Sequence, residues 1–121
     1  MYDNNNIFAK ILRNEVSCKK AKEGDYYLAF HDLFPKADTH ILIIPKGQYV
    51  TYHDFTMNAS AEEKLDFFNG IAEIVKEFGL DQTGYKLHNN NLEAANQVVP
   101  HFHVHILGWK NANGGRGCPN L

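Results

Sequence analysis

Nine residues near the end of the chain, His101–Trp109, read His-Phe-His-Val-His-Ile-Leu-Gly-Trp, and no other stretch limits the fold as strongly. Alternation of imidazole with an apolar side chain is the period of a β-strand, whose successive side chains point to opposite faces. The pattern predicts a strand with His101, His103 and His105 on one face and Phe102, Val104 and Ile106 turned toward a core. Neighbours along one face of a strand stand roughly 6.5–7 Å apart, so the middle imidazole has another on either side. Three neutral imidazoles so placed can hold a metal or attack an electrophile such as phosphorus. The plain alternative is a polar strand face turned to solvent. Same-face residues of one strand lie nearly in a line, a poor start for tetrahedral zinc.

The chain has 121 residues, enough for one domain with a genuine core. Its 44% hydrophobic and 21% charged residues are ordinary for a globular protein. A net charge of -2 gives no footprint for duplex nucleic acid or an anionic membrane, whereas a nucleotide needs only local donors. Cys18 and Cys118 belong to no CxxC pair. They read as free thiols of a reducing compartment, with one disulfide as the alternative. The opening Met-Tyr-Asp-Asn-Asn-Asn has no basic segment followed by an apolar run, and no window approaches a membrane span, so the expected location is cytoplasmic. No repeat or linker divides residues 1–121; the expected core is about 6–108, with a flexible tail over Asn111–Leu121.

Asn6 is a candidate N-cap for a short amphipathic helix over Ile7–Arg13. Lys19–Lys22 and Tyr26–His31 flank Glu23-Gly24-Asp25 and predict a hairpin. Thr39–Pro45 is short and continuously apolar, as expected of a central strand covered on both faces, with His40 at its start. A lone histidine there is ordinarily structural, and only proximity to the later three would change that. Gly47–Asn58 reads as irregular or loosely helical. Ser60 and Glu63 form a capping box, followed by Leu65, Phe68, Ile71, Ala72, Ile74, Val75 and Phe78 at helical spacing, with Gly79 placed for a left-handed end. Tyr85–Asn89 predicts another strand, and Asn89, Asn90 and Asn91 read largely as turn residues. Periodicity alone therefore gives an α+β fold with a mainly antiparallel sheet.

The string His-Phe-His-Val-His-Ile-Leu-Gly resembles the motif of the histidine-triad (HIT) family of nucleotide hydrolases and transferases. N-I-F-A-K-I-L-R near the start, L-A-F-H-D-L-F-P-K-A at 28–37 and T-H-I-L-I-I-P-K at 39–46 resemble its Hint-like branch, in order and at suitable spacing. The resemblance spans about Asn6 to Gly108. It implies a five-stranded, mainly antiparallel sheet with one long and one short helix, a purine nucleotide beside the sheet, and usually a homodimer. It also implies roles. His103 matches the nucleophile that attacks the α-phosphorus and becomes nucleotidylated, His101 and His105 match its flanking partners, and His40 matches a fourth histidine close by. Asn90 matches a residue near the scissile phosphate, Gln97 keeps its family match as an amide donor toward the leaving group, and Asp32 matches an acid that binds the ribose hydroxyls. Ile7, Phe8, Ile11, Phe30, His31 and Leu33 match the walls of the base pocket.

Imidazole chemistry fits these roles, since an unperturbed pKa of about 6.5 leaves the nucleophile largely unprotonated near neutral pH. The chain also departs from the pattern. Leu92, Glu93, Ala94, Ala95 and Asn96 replace a glycine-rich phosphate loop, and Val98 stands where well-known relatives carry a hydroxyl. Asn6 and Ala9 stand where some bacterial relatives carry a zinc-binding CxxC, so no structural zinc and no cofactor are expected. The leading expectation is a hydrolase of a purine nucleoside phosphoramidate or related nucleotidyl compound. Alternatives are a dinucleoside polyphosphate hydrolase, a regulatory nucleotide-binding module, and a transition-metal-binding protein.

Overall fold

Asn6 opens the first helix, α1 (Ile7–Leu12), by accepting the Ala9 N–H on its side-chain oxygen at 2.9 Å. In the computed structural model, which describes residues 1–117, this short helix is held by packing, with Phe8, Ala9 and Ile11 buried. β1 (Lys20–Glu23) and β2 (Tyr27–His31) form the expected hairpin. β3 (Thr39–Pro45) follows, buried along nearly its whole length. Then come α2 (Tyr52–Asn58), α3 (Ala61–Glu77), α4 (Leu80–Thr83), β4 (Tyr85–His88) and β5 (Val104–Gly108). The strands make one antiparallel five-stranded sheet in the order β1-β2-β3-β5-β4. β3 is thus central, as its continuous apolarity predicts.

Strand alternation splits the core into two layers. Ala29, Ile41, Ile43, Val104 and Ile106 face α3, together with Phe55, Phe67 and Phe102. Leu28, Phe30, Leu42 and Ile44 face Phe8 and Ile11 of α1. The register places His105 opposite Leu42, so the face covered by α1 is also the histidine face.

The long helix carries both halves of its capping box: Ser60 Oγ accepts from Glu63 N–H and Glu63 accepts from Ser60 N–H, each at 3.1 Å. Its buried stripe is Phe67, Gly70, Ile71, Ile74 and Val75. Leu65, Phe68 and Phe78, expected on that stripe, are 64%, 41% and 39% exposed. The cause is Gly70, invisible to apolar periodicity, where the Tyr27 ring lies so close that an added Cβ would meet it at 2.7 Å. Helix count also differs from expectation. One long helix is accompanied by three short ones, α1, α2 and α4, because segments of seven and four residues hold too little of the helical period to register.

β5 begins at Val104, so only His105 of the three histidines lies in the ladder. Its partner strand β3 ends at Pro45, which has no N–H to donate. The preceding segment is tied elsewhere, Phe102 N–H donating to Tyr49 O at 2.7 Å. Residues 111–117 form turns against Trp109, and Lys86 Nζ donates to Gly115 O at 2.6 Å. The rest of the expected flexible tail, with Cys118 and any disulfide it would form, lies outside the described residues. No described helix is long and apolar enough to cross a membrane.

Candidate active site

Phe102 anchors the histidine segment from below. It is fully buried, lying 5.0 Å from the Phe55 ring in a stacked arrangement and 5.2 Å from Phe67. With Phe102 pinned on that side, His101 and His103 project to the other, where Phe8 meets the His103 ring edge-on at 4.9 Å and the His101 ring at 6.3 Å. His105 continues the row, its ring 5.2 Å from that of His103. The three imidazoles share a face, as alternation requires.

Hydrogen bonds assign each tautomer. The Pro45 carbonyl lies 2.9 Å from His101 Nε2, so that nitrogen carries the proton and Nδ1 accepts from the Tyr2 hydroxyl. Tyr2 in turn accepts from Asn6 Nδ2 at 2.9 Å. His103 Nδ1–H donates to the His101 carbonyl at 2.7 Å, which leaves a lone pair on Nε2. The third imidazole is fixed through His40. Lys36 N–H donates to His40 Nδ1 at 3.0 Å, so His40 is protonated at Nε2 and donates to His105 Nδ1 at 2.9 Å. The His105 proton then sits on Nε2. Asp32 Oδ2 lies 3.5 Å from His40 Nε2 and stabilises that orientation.

Burial keeps the whole group neutral. Desolvation pushes His101 and His105 down to about 4, neighbouring histidines adding to the effect in both. It also lowers His103, against the stabilising bond to the His101 carbonyl. In His40, desolvation outweighs the opposing pull of Asp32. A nucleophile requires this neutral state.

Beside the row lies a cavity of about 400 Å³ lined by Asp32, Lys36, His40, His88, Asn90 and His105 among others. Phe8, Ile11 and Phe30 are buried on the same sheet face. Ile7, at the start of α1, is 42% exposed. Two expected pocket residues are not brought there. His31 pairs with Ile41, which puts its side chain on the α3 face against Phe78 at 5.9 Å, because Phe30 takes the histidine face. Leu33 lies beyond the strand end and is 82% exposed. Gln97 is occupied in bracing its loop, Nε2 donating to Val50 O at 2.6 Å and Oε1 accepting from Leu92 N–H at 2.7 Å. Asn90 Nδ2 reaches Asn96 O at 3.4 Å.

The structure adds residues the sequence reading missed. Asn89 Nδ2 donates to the His103 carbonyl at 2.9 Å, fixing the backbone behind the middle histidine. Tyr2 carries no sequence signal for its contact with His101. His88 could have been found by pairing the predicted strand 85–89 with the histidine strand. As for metal, ligand atoms of Asp32, His40 and His105 lie within 4.8 Å of one another, but His40 and His105 are already joined through a proton. His101 has both nitrogens engaged, so the three triad histidines do not converge on one ion.

The model of the HIT domain family matches residues 13–112. The chain belongs to the HIT domain family. Among HIT relatives, an uncharacterized 13.2 kDa HIT-like protein of Azospirillum brasilense is 48% identical over 109 residues, 90% of this chain and 89% of that one. Purine nucleoside phosphoramidase of Escherichia coli is 37% identical over 105 residues, covering 86% and 87%. A solved histidine triad protein from Clostridium difficile superposes with a TM-score of 0.77 at 38% identity, over 92% of this chain and 96% of the other. The open five-stranded antiparallel sheet is thus the HIT fold, and His101, His103 and His105 are its eponymous triad.

Proposed function

We propose that this HIT protein is a nucleotide hydrolase that cleaves an AMP-like substrate, a purine nucleoside phosphoramidate or related nucleotidyl compound, at its α-phosphorus. The observation that carries the reading is the tautomer of His103: Nδ1–H is held by the His101 carbonyl, so the free Nε2 lone pair is the nucleophile. As it bonds to phosphorus, the bond from phosphorus to the leaving atom breaks, its electron pair departs on that atom, and solvent supplies the proton the leaving group takes up. The His105 Nε2–H donates to that atom as its charge develops. Water then attacks the same phosphorus, the P–N bond to His103 breaks with its electron pair returning to Nε2, and the proton lost by the water passes to solvent. Asp32 is the acceptor for the ribose hydroxyls, Phe8, Ile11 and Phe30 back the base, and Asn90 contacts the phosphate. The relationship to a purine nucleoside phosphoramidase supports the substrate class.

We also infer that the working form is a cytoplasmic homodimer joined through β4. That strand is a sheet edge, and Tyr85 and Leu87 on it are 46% and 51% exposed beside the half-exposed Phe68 and Tyr52. Sedimentation of the wild type and of Leu87→Lys tests the pairing; two monomers would refute it.

The catalytic reading is tested with adenosine 5′-phosphoramidate. Wild-type protein should release AMP and, after acid quench, carry one nucleotidyl group. His103→Ala should lose at least about a hundredfold in turnover. Equal turnover by the variant would overturn the mechanism.

A further inference from the structure

β4 brings a fifth imidazole to the triad. His88 is the cross-strand partner of His105, with ring centroids 5.9 Å apart and planes at 75°. It lines the same cavity as Lys36, Asn90 and His105. The other imidazoles of the centre are committed: both nitrogens of His101 and of His40, Nδ1 of His103 and Nδ1 of His105 have partners. The His88 side chain makes no hydrogen bond with any described residue, and its half-buried ring leaves an N–H available to whatever occupies the cavity. The exposed Lys36 side chain is the cation on that cavity wall. Among the described lining residues the carboxylate is Asp32; its Oδ1 accepts from the Phe34 N–H at 2.8 Å, its Oδ2 lies 3.5 Å from His40 Nε2, and in the proposed function it faces the ribose hydroxyls rather than the leaving group.

Position relates these groups to the reaction. The His105 proton sits on Nε2, so the departing atom lies beside His105, and the group attached to it extends along the neighbouring wall. His88 and Lys36 are the donors on that wall. We propose that His88 and Lys36 form a leaving-group subsite that selects substrates bearing an oxyanion, carboxylate or phosphoryl, close to the scissile bond. The inference rests on the reading of His103 as nucleophile. His103 Nε2 forms the bond to phosphorus, the P–N or P–O pair leaves on the departing atom with its added proton, and the oxyanion is held unchanged. An N–H of imidazole donates in either protonation state, and the Lys36 ammonium supplies the charge.

Three substrates test it with the full chain: an adenosine phosphoramidate of a neutral alkylamine, one of an amine of equal length ending in carboxylate, and ADP. Wild-type kcat/KM should favour the two anionic leaving groups. His88→Leu should lower their advantage over the alkylamine about tenfold, the scale of one charge-assisted hydrogen bond. His88→Gln, which keeps an N–H donor, should retain most of it. Loss of preference on only one anionic arm supports the subsite and names its ligand. An equal loss on all three substrates, or none, refutes it. Binding separates this from the catalytic reading. In His103→Ala, the gain in affinity from AMP to ADP should shrink when His88→Leu is added. An unchanged gain overturns the subsite, whereas failure of wild type to form the nucleotidylated histidine overturns only the catalytic reading.

Discussion

His40 and His105 are separated by 65 positions in the chain, yet His40 Nε2 lies 2.9 Å from His105 Nδ1. Because Lys36 N–H occupies the other nitrogen of His40, the pair has one arrangement of protons, and the donor face of His105 is set from 65 residues away. His40 is a positioning residue in this scheme. His40→Ala should lower kcat by roughly tenfold to a hundredfold, the cost of leaving a buried partner unsatisfied. His40→Gln, which can donate from its amide, should recover part of the loss. Steady-state kinetics of both variants check this, and equal values would remove His40 from the scheme.

Stability should depend on pH through the triad. His101 titrates near 6.5 when unfolded and at about 4 when folded. A depressed folded value means the unfolded chain binds more protons, so the contribution is complete above pH 6.5 and is lost as pH falls toward 4. His101 is fully buried, and its share is on the order of 3 kcal/mol. Denaturant unfolding at pH 7.5, 5.5 and 4.5 should show a progressive decline, reduced in His101→Asn. The acid limb of kcat/KM should likewise fall below the ordinary imidazole value, since burial lowers His103.

The loop before the triad stores strain. Leu92 adopts φ 68 and ψ 173, a region favourable almost only to glycine, and Asn96 is left-handed at φ 62. The backbone therefore keeps a shape suited to glycine with a 60% exposed leucine in place. Leu92→Gly removes roughly 1–3 kcal/mol of strain and adds about 0.5–1 kcal/mol of unfolded-state entropy cost. A net gain of about 1 kcal/mol is expected, seen as a rise in Tm of roughly 3–5 °C.

At Gly70 the sign reverses. Alanine is ordinarily better than glycine within a helix by about 1 kcal/mol, but here its Cβ would meet the buried Tyr27 ring at 2.7 Å. Overpacking costs about 1–3 kcal/mol, so Gly70→Ala should destabilise by up to about 2 kcal/mol, and Gly70→Ala with Tyr27→Leu should recover part of the loss. Chemical denaturation of the single and double variants decides it.

What the sequence reveals depends on how local the cause is. Thr39–Pro45 reads as a strand from its own apolarity, and Asn6, Ser60 and Glu63 declare their helix ends because each cap is a contact within three residues. His101, His103 and His105 are legible as a row for the same reason. The closeness of His40 to His105 and of His88 to His105 depends on strand order, which no single segment encodes. Apolar periodicity does not register the stripe on α3 at Gly70, which packs through its lack of a side chain. A matched motif assigns residues without the alternation of the strand that bears them, and here that alternation turns His31 to the α3 face.

Phe102 stands between two catalytic candidates in the chain and between Phe55 and Phe67 in space. The reactive segment is thereby bolted to α2 and α3, and to β3 only through the His101 side chain on the Pro45 carbonyl, since the backbone ladder starts at Val104. Local opening of those helices must release the imidazoles with them. Amide exchange in the middle of α3 and the fraction of disarmed sites should then follow one equilibrium, so that a substitution on the far side of the sheet tunes how often the protein is competent without touching the chemistry.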